Sequence, residues 1–188
     1  MAHLGSAAPP NYMPGVCRED PHACIVLGGG CFWGLEMLFR EHFRSKLLST
    51  QVGYAGGHTQ NPTYEDVCSG TTGHFEALRV CYFTDKTTPE EILEFFWSVH
   101  DPTTKDRQGP DVGPQYRSAV CVSSPEEQAA AEKVFSLMEE KWGKPLQTQI
   151  LQGKCAFWPA ETKHQLYLEK HPGGYCTHRN HFTKGNKT

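Results

Sequence analysis

The run Gly28-Gly29-Gly30-Cys31-Phe32-Trp33-Gly34 holds the side chain best placed to do chemistry. It lies between a β-branched segment and a stretch of helical spacing, so Cys31 stands where a strand turns into a helix. Three readings compete. A dinucleotide-binding fingerprint fails because its third glycine position, 33, is Trp. A phosphate-binding loop fails because no Gly-Lys-Ser/Thr follows. The third is a nucleophilic thiol at a helix N-terminus. Glycines let a substrate approach the backbone, and free N–H groups with the helix dipole favour thiolate. The dipole supplies only about 0.3–1 kcal/mol, less than one pKa unit, so other donors must help. On spacing alone a buried structural cysteine beside a tight turn fits equally well.

Two further features bear on Cys31. Phe32 and Trp33 can be ordinary core, or an apolar wall for a small hydrophobic group. In Phe75-Glu76-Ala77-Leu78-Arg79-Val80, Glu76 shares a face with Leu78 and Val80. It is either a solvated edge residue or a buried carboxyl whose raised pKa makes it a general acid.

These residues need elements to hold them. Ala23–Leu27 reads as a buried strand, and Leu35, Leu38, Phe39 and Phe43 give a helix over Phe32–Arg44. Leu47–Tyr54, Phe75–Phe83 and Tyr116–Val122 read as strands, Thr148–Gln152 as a weaker one. Thr88-Pro89-Glu90-Glu91 and Ser124-Pro125-Glu126-Glu127 are capping signals, opening helices to about Val99 and to Gly143. Ala160–Lys170 is a short helix candidate. The first six elements, β-α-β-β-α-β, match a ferredoxin-like split βαβ pattern. The expected fold class is therefore α+β, a sandwich of helices on a mixed sheet. We expect a loose leader over residues 1–22, a single catalytic domain over 23–188, and an irregular, mobile tail from about 171.

A length of 188 residues and 38% hydrophobic content allow a full core without disulfides or metals. The net charge of -3 calls for neither nucleic acid nor an anionic membrane. No stretch approaches the roughly 20 apolar residues of a membrane span. No signal or transit pattern is seen, so we expect a cytoplasmic monomer. The eight cysteines are Cys17, Cys24, Cys31, Cys68, Cys81, Cys121, Cys155 and Cys176. A disulfide framework is not expected, because such frameworks belong to small secreted chains. No Cys-x-x-Cys pair occurs, which weakens a zinc ribbon and a thioredoxin-type motif.

Gly30-Cys31-Phe32-Trp33-Gly34 is followed in order by Val52–Gly57, Asn61–Gly70, Thr72–Ala77, Phe96–Pro102, Asp111–Ser118, His164–Leu168 and Gly174–Cys176. In these segments the chain resembles the A-type peptide methionine sulfoxide reductases. The resemblance covers about residues 23–176. It implies Cys31 as nucleophile, Glu76 as the acid that protonates the sulfoxide oxygen, and Tyr54 and Tyr116 as phenols that hydrogen-bond that oxygen. It implies Phe32 and Trp33 as the pocket for the methyl on sulfur, Asp111 as a polar lining residue, and His164 nearby. Cys176 matches a resolving cysteine. The implied cycle is thiolate attack, a sulfenic acid on Cys31, a disulfide, and recycling by thioredoxin, with no metal or organic cofactor. Free or protein-bound methionine sulfoxide is the implied substrate. No cysteine follows Cys176, so a third thiol in recycling would be Cys68 or Cys155. Phe75 is bulkier than the Ala expected before the acid, and Pro159 and Lys163 also depart from the pattern.

Two rival readings stand beside this one. A thiol hydrolase or acyl transferase would need a Cys–His pair, drawn from His58, His74, His100 or His164. A zinc module would use His171, Cys176, His178 and His181, whose spacing fits no standard site.

Overall fold

The computed structural model describes residues 21–153 and 155–183. The expected leader therefore falls almost wholly outside them, as does Cys17. The chain opens with β1 (His22–Gly29) and α1 (Phe32–Phe43), which buries Phe32, Leu35, Phe39 and Phe43. β2 (Leu47–Ala55), a short α2 (Tyr64–Cys68) and β3 (Phe75–Phe83) follow. α3 (Pro89–Val99) and α4 (Pro125–Trp142) start at the two capping signals. The Thr88 side chain accepts from the Glu91 N–H, and that of Ser124 from the Glu127 N–H. Gly143, in the left-handed region, ends α4. Between α3 and α4 lie a two-residue hairpin, β4 (Arg107–Gln108) with β5 (Asp111–Val112), a 3₁₀ turn at Pro114–Tyr116, and β6 (Ser118–Val122). β7 (Gln149–Gln152), β8 (Phe157–Pro159) and α5 (Tyr167–Lys170) come last.

Six strands form one sheet in the order β7-β6-β1-β3-β2-β8. β6 and β7 pair parallel and the other neighbours antiparallel, so the sheet is mixed. Strand alternation sorts the side chains. Ile25, Leu27, Val52, Tyr54, Leu78, Val80 and Val120 join Phe39, Phe96 and Trp97 of the helices in the main core. Val26, Ala55, Phe75, Ala77, Ala119 and Cys121 form a smaller cluster. Among the described residues no helix is long and apolar enough to cross a membrane.

The structure corrects several local expectations. Ala160–Lys170 is helical only over Tyr167–Lys170. Upstream, Phe157–Pro159 is an edge strand on β2. The Gln165 amide then accepts from Val52 N–H and donates to Val52 C=O, acting as a strand edge would, so that stretch cannot coil. Tyr116 lies in the 3₁₀ turn, not in a strand, because Pro114 starts a turn there. Helix α2 was not foreseen, although Thr63 and Asp66 form its capping box.

Disulfides are present after all. Cys24 pairs with Cys81, directly opposite in register on β1 and β3, and Cys121 pairs with Cys155. Cys24, Cys121 and Cys155 line one cleft of about 470 Å³. The cysteine count could not reveal that alternation and register set these thiols side by side. The sequence separations are 57 and 34 residues, so each bond contributes about 4 kcal/mol in the chain-entropy account. Peptide mapping of protein purified without reductant is expected to recover both pairs. Finding all four as free thiols would overturn the pairing.

Candidate active site

Gly30 has φ +86°, and a β-carbon there would lie 2.5 Å from the Gln108 side chain, so this tight turn requires glycine. The turn delivers Cys31 as the N-cap of α1, a free and buried cysteine. The first amides of the helix are then shared out. The Phe32 N–H donates to Oε2 of Glu76 at 3.0 Å. Those of Trp33 and Gly34 favour the ionised sulfur of Cys31, although Cys31 makes no side-chain capping hydrogen bond.

The sequence suggested that the helix end would hold a thiolate; burial outweighs it. Loss of water is the largest influence on Cys31, and the Glu76 and Asp111 charges add to it, all raising its pKa. The Trp33 and Gly34 N–H groups oppose this but do not reverse it. Cys31 thus rests as a thiol.

Glu76 lies opposite Tyr54 in the β2–β3 register and is 2% exposed. This decides between edge and interior: the carboxyl is inside. Burial pushes its pKa up to about 8 despite the Phe32 N–H, with the Asp111 charge adding to the rise. At neutral pH it carries a proton beside the thiol.

The Tyr54 hydroxyl donates to Oε2 of Glu161 at 2.7 Å, while Oε1 of Glu161 accepts from the Tyr64 N–H. Tyr116 is half-buried, its pKa raised first by burial and then by the Glu76 charge. Phe32 is fully buried, with ring centroids 6.0 Å from Tyr54 and 5.5 Å from His164. The Trp33 indole N–H donates to Nδ1 of His164 at 3.2 Å, and its rings stack on Tyr167. Asp111 accepts from the Tyr175 hydroxyl at 3.1 Å. Cys176 packs on the first turn of α1, where a β-carbon on Gly34 would lie 2.7 Å from its sulfur.

The fold therefore gathers Cys31, Glu76, Phe32, Trp33, Tyr54 and His164 directly. Tyr116, Asp111 and Cys176 close the site from the hairpin side and the tail. Sequence reading missed Glu161 and Tyr64. Tyr64 stood inside a quoted motif, but neither residue carries a periodic signal, because Glu161 works through contacts about a hundred residues away.

The profile of the family described as peptide methionine sulfoxide reductase matches residues 23–187. The chain belongs to that family. A probable peptide methionine sulfoxide reductase of Schizosaccharomyces pombe is 44% identical over 86% of this chain and 96% of its own length. The crystal structure of Mxr1 from Saccharomyces cerevisiae in reduced form has a TM-score of 0.79 and 36% identity, covering 88% of this chain and 91% of that one. That of Mxr1 in complex with Trx2 has a TM-score of 0.60 and 26% identity, over 92% and 95%.

This methionine sulfoxide reductase thus catalyses reduction of the sulfoxide to methionine. Three of the four histidines that the hydrolase rival would draw on are already engaged. His74 is held by Gly57 N–H and Thr59 C=O, and His100 by Phe96 C=O and the Ser118 hydroxyl. His164 is taken by Trp33.

Proposed function

We propose that Cys31 attacks the sulfur of methionine sulfoxide while Glu76 protonates the departing oxygen. The observation that carries this is the buried Glu76 carboxyl anchored on the amide next to Cys31, where burial pushes its pKa up to about 8. Oxide leaves poorly, so proton donation is what the reaction needs. As the S–O bond lengthens, Tyr116 stabilises the oxygen, and Tyr54 joins it by turning its proton from Glu161. Phe32 and Trp33 receive the methyl group on sulfur, with His164 bracing the indole. Asp111 lines the polar side. The oxygen leaves as water, carrying the Cys31 thiol proton and the Glu76 proton. That water then attacks the Cys31 sulfur, methionine departs, one proton returns to Glu76, and Cys31 is left as a sulfenic acid. Cys176 then condenses with it, releasing water and forming a disulfide. A dithiol of the thioredoxin class reduces that bond, as the Mxr1–Trx2 complex supports.

We read β1-α1-β2-β3-α3-β6 as a ferredoxin-like split βαβ unit, which the strand order β6-β1-β3-β2 supports. Residues 23–188 act as one catalytic domain, a monomer, and the tail moves over residues 171–183; the rest of the expected tail lies outside the described residues. The even spread of charge speaks for no nucleic acid or anionic membrane as partner; a cytoplasmic setting is the reading that the sequence alone supports. The two disulfides weigh against the cytoplasm.

One hand of the pyramidal sulfur is expected to react. The methyl pocket, the oxygen cluster and the line of attack from Cys31 are three fixed directions that accept one hand, and the resemblance to the A-type reductases makes it the S epimer. Turnover of each epimer of a blocked methionine sulfoxide with thiol reductant tests this; equal rates would sink it.

A further inference from the structure

We propose that His178 is the base that takes the proton from Cys176 when that thiol attacks oxidised Cys31. The proposal rests on Cys176 being the resolving thiol. Nε2 of His178 lies 2.6 Å from the carbonyl oxygen of Gly29. A carbonyl only accepts, so Nε2 holds the ring proton and Nδ1 presents a lone pair. Nδ1 is buried and has no hydrogen-bond partner among the described residues. An unpartnered buried acceptor is uncommon and asks for an explanation.

The explanation lies beside it. A β-carbon on Gly34 would sit 2.6 Å from Nδ1 of His178 and 2.7 Å from the sulfur of Cys176. Base and thiol therefore share one small space above the first turn of α1, the helix that Cys31 caps. Gly34 leaves that space open. The Gly29 anchor fixes both the tautomer and the direction of the ring.

The surroundings keep the ring neutral, the form that can accept a proton. Burial is the main influence lowering its pKa, and His181 adds to it. The Gly29 carbonyl and the Asp111 carboxylate oppose it. His100, itself neutral, faces it from the end of α3. Cys176, whose thiol lies 3.9 Å from the His178 carbonyl oxygen, is a further neighbour among the described residues.

The step balances. The Cys176 S–H bond breaks and its proton passes to Nδ1. The Cys176 sulfur bonds to the Cys31 sulfur, and the Cys31 S–O bond breaks. Hydroxide leaves and takes the proton from the imidazolium, giving water and restoring neutral His178. The Cys31 sulfur is reduced and the Cys176 sulfur oxidised, with no outside reagent. General-base help of this kind is worth about 10²–10⁴-fold.

The test is a single turnover of the full chain with methionine sulfoxide and no reductant, quenched and scored separately for methionine and for the Cys31–Cys176 disulfide. In His178→Gln, disulfide closure is expected to slow about 10²-fold at pH 7. That loss should exceed any change in methionine release at least tenfold. Raising the pH should recover it as Cys176 ionises unaided. In unaltered protein the closure rate should rise with pH and level off below about pH 6.5, where a base held below the ordinary histidine value is free. A closure rate that climbs steadily up to the thiol range near pH 8.5 would overturn the proposal without any variant. So would His178→Gln closing at the unaltered rate, or remaining equally slow at every pH. If Cys176→Ser still closes a disulfide to Cys31, the resolving assignment itself has failed. If it does not, and His178→Gln is normal, only the role of His178 has.

Discussion

Glu76→Gln is expected to slow methionine release in a single turnover by about 10²–10⁴-fold, because the leaving oxygen loses its proton. Gln keeps the shape and can still accept from the Phe32 N–H, so substrate binding should change less than the rate. The pH dependence sharpens the test. The folded pKa of Glu76 is pushed up to about 8, from 4.5. The rate in unaltered protein should therefore fall as pH rises through about 8, and this limb should vanish in the variant. Stability also falls as pH rises, over a window that begins lower. A group whose folded pKa is raised contributes stability that is complete below its unfolded value and drains away up to its folded value. The loss runs from about pH 4.5 to about pH 8 and amounts to roughly 5 kcal/mol. Glu76→Gln has no charge to bury, so it should melt higher than the parent at pH 9 while being far slower. A single-turnover rate within a few fold of the parent would remove Glu76 from the role of acid.

Cys176→Ser is expected to release about one methionine per enzyme and then stall with a thioredoxin-class dithiol. The first step needs only Cys31, whereas that reductant needs a disulfide to attack. A small thiol that reaches the sulfenic acid should restore turnover. Cys176 is free and half-buried against Gly34, one helical turn from Cys31. Peptide mapping of the sulfoxide-treated parent should find Cys31 joined to Cys176. Cys155 is already bonded to Cys121, which leaves Cys68, on α2, as the competing thiol among the described residues. Finding Cys31 joined mainly to Cys68, or full thioredoxin-linked activity in Cys176→Ser, would reject the assignment.

Much of this protein was legible before any coordinates. The glycine run, the helical spacing after Cys31 and the two Ser/Thr-Pro-Glu-Glu signals are local, and each led to an element within a residue or two of its observed ends. Strand alternation put Glu76 on the face of Leu78 and Val80, and that face carries the main core. The ordered motifs named the chemistry, since a cysteine, a carboxyl and phenols in those segments match one reaction.

Tertiary structure decided what depends on contacts across long stretches of chain. Whether Glu76 is an edge carboxylate or a buried acid depends on β2, α1 and the hairpin closing over it. Only the folded burial raises its pKa to about 8. The same burial turned the expected thiolate at Cys31 into a resting thiol, because desolvation exceeds what a helix end and two amides return. Glu161 holding Tyr54, Gln165 standing in for a strand against Val52, and Cys24 facing Cys81 are likewise pairings between distant segments. Periodicity reports which side of an element a residue faces. It cannot report which residue arrives from elsewhere to meet it, and that meeting sets protonation, hydrogen bonding and reactivity.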